Sequence, residues 1–508
     1  MEVGMNKIIR KEVESAGDYV LPDYMGDIKK ILYSRARSMP VGKYVSGSDV
    51  EHSGVVEYEV LYADSDNRLT AVTASSDYSV SASLLGREVV DSFCKSAISS
   101  FTARTTGPRK LSFRSMVSSE ILMSCDEDMI ETLSVGEGEV TLEKRTVQIK
   151  SEVYEHIATA ERELAEEIGR VNGISKDDVE VILATADVRI IDARATEKGI
   201  VIKGELIAEL IRRVADAPPY STKRAYPFEH TVEKDPVPDA KLTASGVASS
   251  VTVGMAEEGD DTVLSLNAIL ELEVYASSNA EHSITVDAYS TEAKTENQYS
   301  SLEYKTLLDV ASCEFHLDEK VEKEALGLGS VRDILICRAD AEVTQLEKEH
   351  HSVKTSGDII ISGVACEING DDNVVYTPFK HSFPFSYNVN IGCQIDADDT
   401  VECDLMPIVA DVAIDTDGIY FKITVCALVK ASSLESVSYL SQCIPLDAEV
   451  LRPCASRITV YYPCGGETLF DIAKKHHTTC EKLCIDNSIS LETFAGAAPQ
   501  LPKKLIIK

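Results

Sequence analysis

Five side chains capable of metal or nucleophile chemistry stand close together near the carboxy end: Cys464, His476, His477, Cys480 and Cys484. A zinc ion would draw on such a set through thiolate and imidazole ligands in tetrahedral array. The spacing matches no paired-ligand pattern, however, and Cys480 and Cys484 fall on the apolar side of a predicted helix, so core packing is the better reading. The adjacent pair His350-His351 reads as a solvated loop. "GEGEV" from Gly136 and "GLGS" from Gly327 lack the strand-to-helix setting and basic partner of a phosphate-binding loop, and read as turns. No Ser-His-Asp, Cys-His or paired-carboxylate constellation stands out, so an enzyme is the least supported class. No catalytic residue, cofactor or metal is expected.

The elements that would have to position any chemistry belong to a long, acidic chain. Its 508 residues are 44% apolar, enough for about three or four domains at roughly 100–200 residues each. A formal net charge of −34 repels phosphate backbones and anionic headgroups, which argues against nucleic-acid and membrane-surface roles. The start, "MEVGMNKIIRKEVESAGDYVLPDY", has no apolar run of the signal-peptide kind, and no stretch reaches the ~18 uncharged apolar residues of a membrane span. A cytoplasmic location is expected. Most of the thirteen cysteines, such as Cys337, Cys366, Cys403 and Cys426, lie singly in strand-like runs and read as reduced, buried thiols.

Internal repetition organises the rest. The pattern [Ile/Val]-x-x-Ile-Leu occurs as "IKKIL" from Ile28, "VEVIL" from Val179 and "VRDIL" from Val331. Each is followed by a glycine-led alternating run: "GVVEYEVLY" from Gly54, "GELIAELI" from Gly204 and "GVACEI" from Gly363, the last displaced by a loop around "HHSVKT". Tyr78, Phe228 and Phe385 come next, the last two inside "YPF" and "FPF". A third apolar run then closes each copy, from Leu111, Val263 and Ile419.

A unit of about 150 residues is too long for a solenoid repeat and has the size of an independent domain, so the copies are expected to be beads. Val, Ile, Thr and Tyr alternate with period two between turn signals such as "INGDDN", "EEGDD" and "DTDG", which describes antiparallel β-structure. Helical periodicity is expected at two joints, "ATAERELAEEIGRVNG" with Leu164, Ile168 and Val171 on one face, and "DEKVEKEALGLG". The prolines of "DAPPYSTKRAYPFEH" and "EKDPVPD" shape a loop and an edge strand. The fold class is therefore mainly β: three tandem all-β, sandwich-like repeats at residues 1–157, 158–318 and 319–455, followed by a separate module at 457–508.

That module reads as β-α-α-β. "ITVYY" from Ile458 alternates as a strand, "GGETL" turns the chain, and Thr468 with Asp471 stands in the capping-box relation. Leu469, Ile472, Ala473 and His476 share a helix face. A second short helix opens near Thr478 or Thr479, places Cys480, Leu483 and Cys484 inward, and ends at Asn487; "LPKKLIIK" supplies the closing strand. The segment from residue 458 carries six lysines and five acids, a net +1 that leaves −35 for residues 1–457.

In Gly466-Glu467-Thr468-Leu469, Ile472-Ala473, Leu483, Asn487 and Leu505-Ile506-Ile507 the tail resembles a LysM module. The resemblance implies a shallow groove for N-acetylglucosamine polymers, peptidoglycan or chitooligosaccharide, formed by Gly465, Gly466, Glu467 and Thr468 with Asn487, Ser488 and Ile489. Glu467→Ala and Asn487→Ala would then weaken binding without unfolding, whereas Leu469→Asp would unfold the tail. Leu21-Pro22-Asp23 with Asp27-Ile28 and Ile31-Leu32, Tyr226-Pro227-Phe228, Phe383-Pro384-Phe385 and the order of the parts resemble the SPOCS-domain spore-coat proteins. That family implies a non-enzymatic coat-assembly adaptor on the mother-cell side of the forespore surface. Its partners would be an ATP-hydrolysing coat scaffold, stage IV sporulation protein A, and other coat proteins. The alternative is a peptidoglycan-binding cell-envelope protein.

Overall fold

The computed structural model describes residues 5–84, 88–125, 134–135, 141–369, 373–450, 458–489 and 501–508. "GEGEV" and the middle of "INGDDN" lie outside the described residues. The chain is mainly β, in several small antiparallel sheets, and divides into two compact units.

The first unit comprises residues 1–127, 153–278 and 307–433. Its first six strands are β1 (Met5–Val20), β2 (Ile28–Ser46), β3 (Asp49–Asp64), β4 (Leu69–Ser83), β5 (Val89–Gly107) and β6 (Lys110–Cys125). They form two sheets, β2-β3-β4 and β1-β6-β5. The two-residue strand that comes next in the chain, β7 (Ser134–Val135), belongs to the second unit. The next six are β8 (Leu142–Val171), β9 (Val179–Thr196), β10 (Gly199–Val214), β11 (Tyr220–Val232), β12 (Lys241–Glu258) and β13 (Asp261–Ser290). The same order recurs in β9-β10-β11 and β8-β13-β12. It recurs again in β14 (Ala293–Glu322), β15 (Val331–Glu349), β16 (Ser352–Ile368), β17 (Val374–Asn390), β18 (Thr400–Ile414) and β19 (Gly418–Val450). These pair as β15-β16-β17 and β14-β19-β18.

The strongest apolar runs of the sequence are the middle strands of these sheets, β3, β10 and β16 in one series and β6, β13 and β19 in the other. A middle strand is paired on both edges and packed on at least one face, so it tolerates few charges. "YPF" and "FPF" lie in β11 and β17, which pair on one side only, where a proline withholds no ladder hydrogen bond.

Aromatic rings stand directly across from glycines: Tyr78 faces Gly54 and Phe228 faces Gly204. A Cβ on Gly204 would come within 2.6 Å of the Phe228 ring, so the close cross-strand contact excludes a side chain there. In the third set the residue facing Phe385 is Gly357, whereas Gly363 faces Phe379. Gly54, Gly204 and Gly357 are each the sixth residue of their strand. The glycine landmark of this set is thus Gly357, and no insertion around "HHSVKT" is needed, because His350 and His351 form the tight turn between β15 and β16.

Both joints expected to be helical are strands. "ATAERELAEEIGRVNG" continues β8, and "DEKVEKEALGLG" is the end of β14 followed by a single 3-10 turn at Glu324–Leu326. Leu164 and Ile168 are buried while the residues between them are exposed. A spacing of four satisfies a period of two as well as one of 3.6, and the sheet takes it. The positions 157/158 and 318/319 consequently fall inside β8 and β14.

The three sets do not stand apart as beads. Strand β4 lies against β9, β11 against β15 and β17 against β2, so the sets follow one another in a closed cycle. Their meeting point is one buried cluster that includes Leu32, Leu183 and Leu335 together with Leu61, Ile211 and Val364. Each of the three leucines is the fifth residue of its strand, supplied by the repeated Ile-Leu motif. The motif is conspicuous because it makes the shared core.

Beside this cluster lies a layer of charge. The Asp187 carboxylate accepts from Arg35 at 2.7 Å and pairs with the Arg338 guanidinium at 3.3 Å, joining all three sets. Arg338 also pairs with Glu209, which is buried in β10. Burial alone would raise the Asp187 carboxyl, but Arg35 and Arg338 overcome it and hold it well below the usual carboxylate range. Arg37 pairs with Glu57 at 2.9 Å and Glu59 at 3.0 Å on the same face of the first set.

The second unit comprises residues 128–152, 279–306 and 434–508. Its core holds Ile149, Ile284 and Tyr304 from β8, β13 and β14, and Ala288 packed with Leu440 and Cys443. It also contains the tail, in which β20 (Thr459–Tyr461) pairs antiparallel with β21 (Leu505–Ile507) around α1 (Leu469–Lys475) and α2 (Cys480–Asn487). Among the described residues no helix is long and apolar enough to cross a membrane.

Candidate functional site

The loop that opens the tail is built by its own side chains. Gly466, at φ +93°, makes the turn that a residue with a Cβ would resist. Glu467 then closes it, accepting from the Tyr461 hydroxyl at 2.7 Å and from the Cys464 amide at 2.8 Å. These two hydrogen bonds hold the Glu467 carboxyl below its ordinary value. Thr468 caps α1: its hydroxyl accepts from the Asp471 amide, and the Asp471 carboxylate accepts from the Thr468 amide.

At the far end, Ser488 adopts a left-handed conformation that ends α2 and turns the chain to Ile489. The Asn487 amide is fully engaged. It donates to the carbonyls of Leu483 and Ile506, each at 2.8 Å, and its oxygen accepts from the Ile506 amide at 2.6 Å. Asn487 thus ties α2 to β21. Gly465, Gly466, Thr468 and Ser488 are exposed, whereas Glu467, Asn487 and Ile489 are half-buried.

These geometries change what is expected of two substitutions. Asn487→Ala removes three hydrogen bonds and leaves backbone groups of α2 and β21 without them, so it should destabilise the tail by about 1–3 kcal/mol. Glu467→Ala should loosen the opening loop. Earlier loss of α1 and α2 amide protection in hydrogen exchange is the readout, and retention of full protection in Asn487→Ala would mean that the residue serves binding alone.

The tail is also fixed through residues that periodicity alone did not single out. The Tyr289 hydroxyl donates to the Thr478 carbonyl at 2.6 Å, and its ring meets Phe470 edge-on at 5.1 Å. Lys474 forms an ion pair with the buried Asp287 at 2.7 Å, and Arg145 lies over the Phe470 ring while pairing with Asp471 at 3.2 Å. The available signal was Phe470, an aromatic beside Leu469 that one helix face cannot account for.

The cysteine and histidine set of the tail is dispersed by the fold. Cys484 is buried, Cys480 is partly buried with its thiol pushed up to about 11 by burial, and Cys464 is exposed. His476 packs edge-on against Tyr461 at 5.2 Å. Among the described residues no group of three or more His, Cys, Asp and Glu side chains is arranged to hold a metal ion. No family model, curated protein or solved structure matches the chain.

Proposed function

We propose that this chain is a non-enzymatic adaptor for spore-coat assembly, made of three copies of a SPOCS-like β domain and a LysM-like tail. It would dock on an ATP-hydrolysing coat scaffold of the stage IV sporulation protein A kind at the forespore surface and recruit further coat proteins. The observation that carries this reading is the threefold recurrence of one strand order, followed by a β-α-α-β tail. Three cyclically packed β domains offer broad sheet surfaces, which suits an adaptor. The tail's docking through Phe470, Lys474 and Thr478 leaves the loops at Gly465–Thr468 and Ser488 open to a partner.

Those open loops also favour the second reading, a peptidoglycan-binding envelope protein. Fractionation of sporulating cells separates the two. The adaptor reading expects the chain with the forespore surface on the mother-cell side, whereas recovery with wall material freed only by muramidase digestion would overturn it.

A further inference from the structure

An open cavity of about 390 Å³ lies at the tip of the first set, walled by Lys11, Tyr44, Asp49, Glu51, Ser81 and Ser83. Its floor is a cross-strand row in which Tyr44 faces Glu51 and Glu51 faces Ser81. Asp49 lies two residues away on the same face, since successive strand side chains alternate. Tyr44 is 67% exposed. Among the described residues no lysine or arginine pairs with Asp49 or Glu51; Glu51 accepts only the Ser79 hydroxyl, at 2.6 Å.

The corresponding rows of the other sets show what is distinctive. Glu51, Val201 and Lys354 are each the third residue of their strands. In the third set Lys354 faces Glu347 and pairs with it at 2.9 Å. In the second set Val201 faces Arg194, and no acid is present in the pair. Only the first set presents an acid in this row with an aromatic ring, rather than a cation, across from it.

We propose that this cavity binds a lysine or arginine side chain presented by an extended segment of a partner protein. The cation would lie over the Tyr44 ring between Asp49 and Glu51, where ring face and carboxylates both attract it. Two features favour a basic occupant over an acidic or neutral one. The chain carries a net charge of −34, which draws basic partners towards it. Lys11 already reaches in from β1 and donates to the Ser81 carbonyl at 2.5 Å, so the site accepts an ammonium group. Lys11 is therefore an internal competitor for the incoming cation.

The test is titration of the full chain with a synthetic peptide alternating lysine and threonine, and with its glutamate counterpart, at about 0.15 M ionic strength, where exposed charges beyond ~8 Å are screened. The lysine peptide should bind and the glutamate peptide should not. Tyr44→Ala and Glu51→Gln should each weaken binding about fivefold, and Lys11→Ala should tighten it. All three side chains are exposed, and unchanged thermal unfolding of the variants confirms that they fold. Equal affinity in wild type and all three variants would reduce the effect to overall charge and overturn the proposal, as would absence of binding to wild type and Lys11→Ala alike.

Discussion

Asp187→Ala is expected to lower the unfolding free energy of the first unit by about 3 kcal/mol, because it leaves Arg35 and Arg338 without their shared carboxylate in a partly buried layer. Asp187→Asn keeps the shape and one acceptor, and should cost less. The pH dependence follows from the direction of the shift. The folded carboxyl titrates below the unfolded value of about 3.9, so its stabilisation is complete above that pH and is lost as pH falls through the lower folded value. Urea melts should therefore show wild type losing stability more steeply than Asp187→Asn below about pH 4. A loss under about 1 kcal/mol for Asp187→Ala would mean that the layer is solvated and does not join the three sets.

Leu469→Asp should abolish the tail's structure. Leu469 belongs to the core formed by Ile472, Ala473, Leu483, Leu505, Ile507 and Tyr289. Burying a carboxylate there without a partner costs several kcal/mol, more than so small a core can offset. Hydrogen exchange should show the amides of α1 and α2 unprotected while those of β3, β10 and β16 stay protected. Binding that depends on the tail should be lost with them. Persistence of α1 protection would place Leu469 outside the core.

The parts of this fold that were legible in the sequence are those where burial leaves little choice. The Ile-Leu motifs and the glycine-led runs stood out because Leu32, Leu183 and Leu335 form one shared core and β3, β10 and β16 are middle strands. The first joint reads as helical because Leu164 and Ile168, four apart, fit helix and strand equally. Gly363 is the more conspicuous glycine in the sequence because it heads the run "GVACEI", whereas Gly357 is followed by the charged Asp358. That the sets form a cycle depends on contacts between residues about 150 positions apart, such as Arg35 with Asp187. The one local trace of it was charge inside an apolar strand, as at Glu209 in "LIAELI".

In the tail, residue types announced the turn and the caps, since Gly466, Thr468 and Asp471 each have a local job. The role of Asn487 was not legible. Its hydrogen bonds run to Ile506, nineteen residues away, so nothing local in the sequence marks it as the tie between α2 and β21.

The adaptor reading is tested most directly by offering the full chain, in parallel tubes, insoluble peptidoglycan and the immobilised ATP-hydrolysing coat scaffold, with Leu469→Asp as the control for dependence on the tail. The account predicts retention on the scaffold, loss of that retention in Leu469→Asp, and no sedimentation with peptidoglycan. Sedimentation with peptidoglycan and no retention on the scaffold would contradict it and leave a wall-binding protein.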